Sequence, residues 1–204
     1  MSLDPKTVQA ISDAVREVES CSCAELVVEV RARSGSYAHA DARLASLIAF
    51  IALLLLLFSP WHFSALWVAI DVLVVWFIGL MVARRSETLR RVMTTRRERE
   101  TATHTSAQSC FHDRGIANTS GETGVLVYLS LLERRLELLA DRGVLEAVPS
   151  LEWNRIVEEA RGRGATAELL VDVVRSLAPL LSKHLPSREG DIDELSNMPR
   201  FVSE

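Results

Sequence analysis

Two apolar runs dominate the pattern of the chain. From Leu44 to Phe58 it reads LASLIAFIALLLLLF without a charge; after SPWHFS, Ala65 to Ala83 reads ALWVAIDVLVVWFIGLMVA, with Asp71 its one carboxylate. A spanning helix needs about 20 mostly apolar residues. The second run meets this length. The first reaches it with Ala42, Arg43 and the residues around Trp61, Arg43 snorkelling and Trp61, Phe63 and Trp67 forming an aromatic belt. Pro60 marks the turn. The pattern predicts a two-helix transmembrane hairpin over residues 42–83 with both flanks on one side. The competing reading, a hairpin buried in a soluble core, fits poorly with two adjacent runs of this purity.

Outside the hairpin the periodicities are those of a soluble α/β domain in two pieces, residues 1–41 and 84–185, followed by an acidic tail, 186–204. Asp4 and Pro5 open a helix whose Val8, Ile11, Val15 and Val18 make one stripe. Ala24 to Ala32 reads as a strand, with Leu26, Val28 and Val30 on one face and Val27, Glu29 and Arg31 on the other. A polar, arginine-rich helix is expected from about Arg85 to Phe111, its first half along the headgroups. Val125 to Leu129 is continuously apolar, as a strand buried on both faces requires. Leu131, Leu132 and Glu133 then make a tight connection to an alternating strand that ends at Asp141. Helices follow over Leu151 to about Arg161, behind Ser150, and Ala167 to His184, behind Thr166, the latter kinked by Pro179. The order implies an α/β fold: a three-layer-like sandwich with a mixed β-sheet flanked by helices, interrupted by the membrane hairpin. Its first strand and Val125 to Leu129 should run parallel.

Charge refines the topology. The formal charge is −4, which gives no global basic field for nucleic acid. Seven arginines lie between Arg84 and Arg99, Arg43, Arg33 and Arg31 precede the first span, and the connection between spans holds no lysine or arginine. The positive-inside rule therefore predicts a two-pass protein of the cytoplasmic (inner) membrane with both termini in the cytoplasm. The three cysteines, Cys21, Cys23 and Cys110, have no framework spacing and suit a reducing compartment. The opening residues lack the pattern of a cleaved leader.

Six motifs stand out: Ala24-Glu25 opening the first strand, the Gly124-Val125-Leu126 strand entry, the Glu133-Arg134 turn, the Asp141-Arg142-Gly143 exit, Trp153 on the next helix, and the closing Asp191 to Leu195. Taken together they resemble the TPM domain family, the closing segment being similar to its membrane-inserted bacterial subgroup. The family includes a thylakoid-lumen phosphatase, a photosystem II repair factor and an auxiliary subunit of acetylcholine receptors. The chain departs from it in having Thr123 where Asn is frequent, and the plain Gly143-Val144-Leu145 where many members have a glycine-rich loop. Both departures fall where substrate or metal would sit.

The chemical inventory is thin. None of His39, His62, His104, His112 and His184 sits in a catalytic motif, and Cys110 with His112 offers two metal ligands where four are usual. Asp141 at a strand end is the best site candidate. With Glu133 in the preceding turn, and Asp191, Asp193 and Glu194 from the tail, it could hold Ca²⁺ or Mg²⁺. The competing reading makes Asp141 a turn or capping residue, and makes Trp153 a core anchor. Asp71 marks the membrane segment as its one acid, expected near the outer interface and facing the partner helix or water; Arg84 and Arg85 mark its inner end. These features, with the resemblance, imply a membrane-anchored interaction or assembly module. It would contact lipid and another membrane or membrane-associated protein. A metal-dependent phosphatase-like hydrolase is the alternative.

Overall fold

The computed structural model describes residues 4–61, 63–162, 166–187 and 194–203. The chain divides into two compact units, Met1–Ser34 with Glu100–Glu204, and Gly35–Arg99.

The first unit is a mixed four-stranded sheet with helices on both faces. Helix α1 (Pro5–Cys21) leads into β1 (Glu25–Arg31); β2 (Gly124–Ser130) and β3 (Arg135–Ala140) form a hairpin. Strand β1 pairs parallel with β2, from Glu25 opposite Gly124 to Arg31 opposite Ser130, and β2 pairs antiparallel with β3. A short strand near the C-terminus, β4 (Arg200–Val202), adds parallel to the free edge of β1, giving the order β3-β2-β1-β4. The sequence reading missed β4, since three residues are too few for alternation to register. Its effect is to make β1 an interior strand, buried on both faces over residues 25–30.

One face of the sheet carries the main core. Leu26, Val28, Val30, Val125, Val127 and Leu129 pack there against Ile11, Val15 and Val18 of α1, Trp153 and Ile156 of the helix Ser150–Gly162, and Leu170, Val174, Leu177 and Leu181 of the helix Ala167–His184. The stripe read on α1 is thus its buried face, and Trp153, 6% exposed, is a core residue. On the other face, Val27, Leu126 and Tyr128 pack against Ala107, Cys110 and Phe111.

The second unit is the apolar hairpin: α2 (Ala38–Leu57), α3 (Ala65–Arg85) and the short α4 (Glu87–Val92). Both long helices have the length and apolarity to cross a membrane, with mean hydropathies of 2.1 and 2.4, and only 6% of the α3 window is buried. The unit is wider than 42–83, since α2 starts at Ala38 and α4 follows α3. That early start is made possible by Asp41, buried at 4% exposure and held by a bidentate pair from Arg90: Nε–Oδ1 3.0 Å and Nη2–Oδ2 2.9 Å.

The single polar helix expected from Arg85 to Phe111 is instead two, α4 and α5 (Arg96–Asp113). A capping box accounts for the break. Glu98 N–H donates to Thr95 Oγ1 at 3.2 Å, and Thr95 N–H donates to Glu98 Oε2 at 2.7 Å. The Thr-x-x-Glu signature was present in the sequence and outweighs the uniform polarity around it. Three further helices lie between β3 and β4: α6 (Arg142–Ala147), absent from the sequence reading, and α7 and α8, the Ser150–Gly162 and Ala167–His184 helices already described.

Candidate functional site

Strand β3 separates the two residues from which the sequence built a cation site. Glu133 precedes its first residue and Asp141 follows its last, with about 17 Å of strand between. The structure therefore does not bring them together.

Glu133 belongs to a buried polar clasp. Its carboxylate, 3% exposed, accepts from Ser34 N–H at 3.0 Å and from Ser130 Oγ. Ser34 Oγ in turn bonds Ser130 Oγ (2.7 Å) and Tyr128 Oη (2.8 Å), and Tyr128 Oη donates to Ser106 Oγ at 2.8 Å. The clasp fastens the exit of β1 to the β2–β3 turn and to α5. Arg134 completes the turn in the left-handed region, at φ +51°. Glu133 thus serves the clasp as an acceptor from Ser34 and Ser130.

Glu29 lies beside this clasp, with no exposure. It accepts from Arg31 Nε at 2.7 Å and Arg114 Nε at 2.9 Å. Burial alone would raise its pKa, yet hydrogen bonds from Cys110, Arg31 and Arg114 prevail and hold it below the usual carboxylate range. The same surroundings silence Cys110. Burial, then the neighbouring Glu29 carboxylate, push its thiol up to about 12. A thiol so buried and so weakly acidic is a poor nucleophile.

At the opposite end of the sheet, where β1 and β2 begin and β3 ends, is a polar cleft of about 520 Å³. Glu25, Ser120, Thr123, Gly143, Glu146 and Glu194 are among its lining residues. Glu25, 8% exposed, accepts from Leu195 N–H at 3.2 Å, and Glu194 accepts from Ser120 N–H at 3.1 Å and Ser120 Oγ at 2.5 Å. Asp141 stands next to this lining. Its N–H donates to Gly124 O (2.8 Å), and its Oδ1 accepts from Arg142 N–H (2.7 Å) as the N-cap of α6. Its Oδ2 is buried and has no hydrogen-bond partner among the described residues. The cap occupies one of the two carboxylate oxygens.

The cleft wall is built from close backbone approaches. Gly143 N–H donates to Glu122 O at 2.9 Å, and a Cβ on Gly143 would lie 2.7 Å from Gly121 O and 2.8 Å from Glu122 O. Thr123 N–H is held by Thr119 Oγ1 at 3.1 Å, while Thr123 O accepts from Glu25 N–H. Sequence reasoning found Asp141, Thr123, Gly143 and Glu194. It missed Glu25 as a cleft carboxylate, although the residue had been singled out as the opening of β1.

As a donor set, this end of the sheet offers carboxylate and carbonyl oxygens, which suit a hard, partly hydrated cation such as Ca²⁺. Among the described residues no three His, Cys, Asp or Glu side chains already converge on one point. Asp191 and Asp193, and His62 of the hairpin connection, lie outside the described residues. Asp71 does not face α2. Val68, Ala69, Val72, Trp76, Gly79 and Ala83 recur on one stripe of α3, and Asp71 is exposed on another side. Gly79 sets the closeness of that packing, since a Cβ there would lie 3.2 Å from Ala45 Cα. Arg84 and Arg85 end α3, both exposed.

No family model and no curated protein matches the chain. Among solved structures, the NMR structure of the BA42 protein from the psychrophilic bacterium Bizionia argentinensis is similar in fold. Its TM-score is 0.58 at 17% identity, over 99% of this chain and 97% of that chain. At that identity the likeness concerns the fold alone.

Proposed function

We propose that this protein is a membrane-anchored, TPM-like interaction module whose hairpin spans the cytoplasmic membrane twice and whose soluble domain presents a cation-responsive cleft to a membrane or membrane-associated partner. The observation that carries the reading is Asp141 Oδ2, buried without a partner beside a cleft lined by Glu25 and Glu194. A buried carboxylate oxygen left unpaired costs on the order of 1–3 kcal/mol, and a divalent ion would relieve that cost. Asp141 would supply a carboxylate oxygen to the ion, with backbone oxygens and water completing its shell. The ion would supply charge neutralisation, and with it a site for an acidic group of the partner.

The test is thermal melting of the purified full chain with and without Ca²⁺ or Mg²⁺. Binding to the native state raises the melting temperature by mass action. Asp141→Asn should abolish the rise while the apo protein stays folded. A chain indifferent to both cations would leave Asp141 as the cap of α6 alone and remove the cation from the reading.

One contact favours a second reading, a phosphatase-like hydrolase. Ser120 Oγ donates to the Glu194 carboxylate at 2.5 Å, a hydroxyl placed against a base. Turnover of p-nitrophenyl phosphate that falls by orders of magnitude in Ser120→Ala and Asp141→Asn would establish the hydrolase and displace the interaction module.

A further inference from the structure

We infer that the arginine collar at the charged end of the hairpin binds anionic phospholipid headgroups, and that Arg84, Arg85 and Arg97 are the residues that hold their phosphates. The inference rests on the membrane reading above. Eight arginines, Arg43 and the seven from Arg84 to Arg99, gather at this end of the second unit against Asp41, Glu87 and Glu98. That is a surplus of five positive charges in a chain whose formal charge is −4, so the remainder is strongly acidic.

Some of these arginines work inside the unit. Arg90 is locked on Asp41, with both side chains almost fully enclosed at 11% and 5% exposure. Arg99 Nη1 donates to Thr94 O at 2.6 Å and Arg91 O at 2.9 Å, closing the end of α4. Arg43 reaches Glu98, the acid of the capping box, at 3.2 Å. Arg84, Arg85 and Arg97 differ: all are exposed, and none has a side-chain partner among the described residues.

Position supplies the second argument. Arg84 and Arg85 directly follow the apolar run of α3, at the level where a bilayer turns from acyl chain to phosphate. Val92, on α4 between these arginines and Arg97, is 70% exposed, an apolar side chain suited to the boundary beneath the headgroups. A planar guanidinium pairs two N–H groups with two phosphate oxygens, a geometry any phosphate offers. Continuity with the apolar spans commits the site to phosphate borne by a lipid rather than free phosphate. The positive-inside rule needs only charge on this side. It does not require three arginines to be left without internal partners while their neighbours are bonded.

The experiment uses the full chain in mild detergent with an equimolar mixture of dioleoyl phosphatidylglycerol and dioleoyl phosphatidylcholine, retained lipids being counted by native mass spectrometry. The native chain should retain phosphatidylglycerol in preference by on the order of a hundredfold. Arg97→Gln should lower the preference by about fivefold, and the triple variant R84Q/R85Q/R97Q should abolish it, at about fivefold per arginine. Unchanged circular dichroism would show that the variants fold. Millimolar inorganic phosphate should not compete; full displacement by it overturns the lipid assignment. Equal retention of both lipids by the native chain, or an undiminished preference in the triple variant, overturns the inference. Resistance of the chain in its own membranes to carbonate extraction reports the membrane reading separately, and release by carbonate overturns that reading and this inference with it.

Discussion

Glu29 is the residue on which the buried chemistry of the first unit turns. Its side chain has no exposure and lies between Arg31 and Arg114, each about a quarter exposed. Glu29→Gln leaves both guanidinium groups without their anion. The expected cost is about 2–4 kcal/mol, below the range for a fully buried pair because both arginines keep some water. The pH dependence has a definite sign. The folded carboxyl lies below its ordinary 4.5, so the native state binds fewer protons than the unfolded chain. Its contribution is complete above about 4.5 and lost as pH falls through the folded value. Urea melts at pH 7 and pH 3.5 should show the difference between native chain and Glu29→Gln shrinking at the lower pH; a difference constant in pH would refute this role.

At the level of elements, each unit contains a position where one atom decides the packing. In the hairpin it is Gly79, whose missing Cβ lets α3 approach Ala45 Cα of α2. Gly79→Val should cost about 1–3 kcal/mol of helix pairing. A cysteine pair engineered across α2 and α3 should then crosslink more slowly, while the melting of the soluble domain stays put. In the sheet it is Val127, which has no exposure in the middle of β2. Val127→Asp would bury an unpaired charge at a cost of several kcal/mol. The chain should still enter the membrane, yet its soluble domain should become protease-sensitive, and retained resistance would be the contrary result. The α4–α5 break is testable too. Thr95→Ala removes half of the capping box and should cost about 1 kcal/mol, read as a lower melting temperature.

For the whole molecule, the proposed topology predicts how its thiols react. Cys21 and Cys23 are half-buried, whereas Cys110 is fully enclosed with its thiol pushed up to about 12. An impermeant maleimide should leave Cys21 and Cys23 unmodified in intact cells and label them once the membrane is opened. Cys110 should stay unreactive in both states until the protein is denatured. Labelling of Cys21 or Cys23 from outside would reverse the orientation.

Patterns of sequence were enough wherever burial follows a simple period. The apolar runs of α2 and α3, the stripe of α1, the continuous Val125–Leu129 and the alternation of β3 were all legible, because each element's own residues carry its hydrophobic signal. Asp141 and the entry and exit of the β2–β3 hairpin were legible for the same local reason. Three-dimensional folding decided the rest. Only pairing in space could add β4 to β1, or place Glu25 and Glu194, 169 positions apart in the chain, in one cleft. It also sent Glu133 to a clasp at the far end of the sheet from Asp141, since a strand's length separates the residues at its two ends. And it sorted chemically identical arginines into Arg90 and Arg99, bonded within the hairpin unit, and Arg84, Arg85 and Arg97, left exposed. An arginine's spacing in the chain records its charge, and which acceptors surround it is fixed only when distant segments meet.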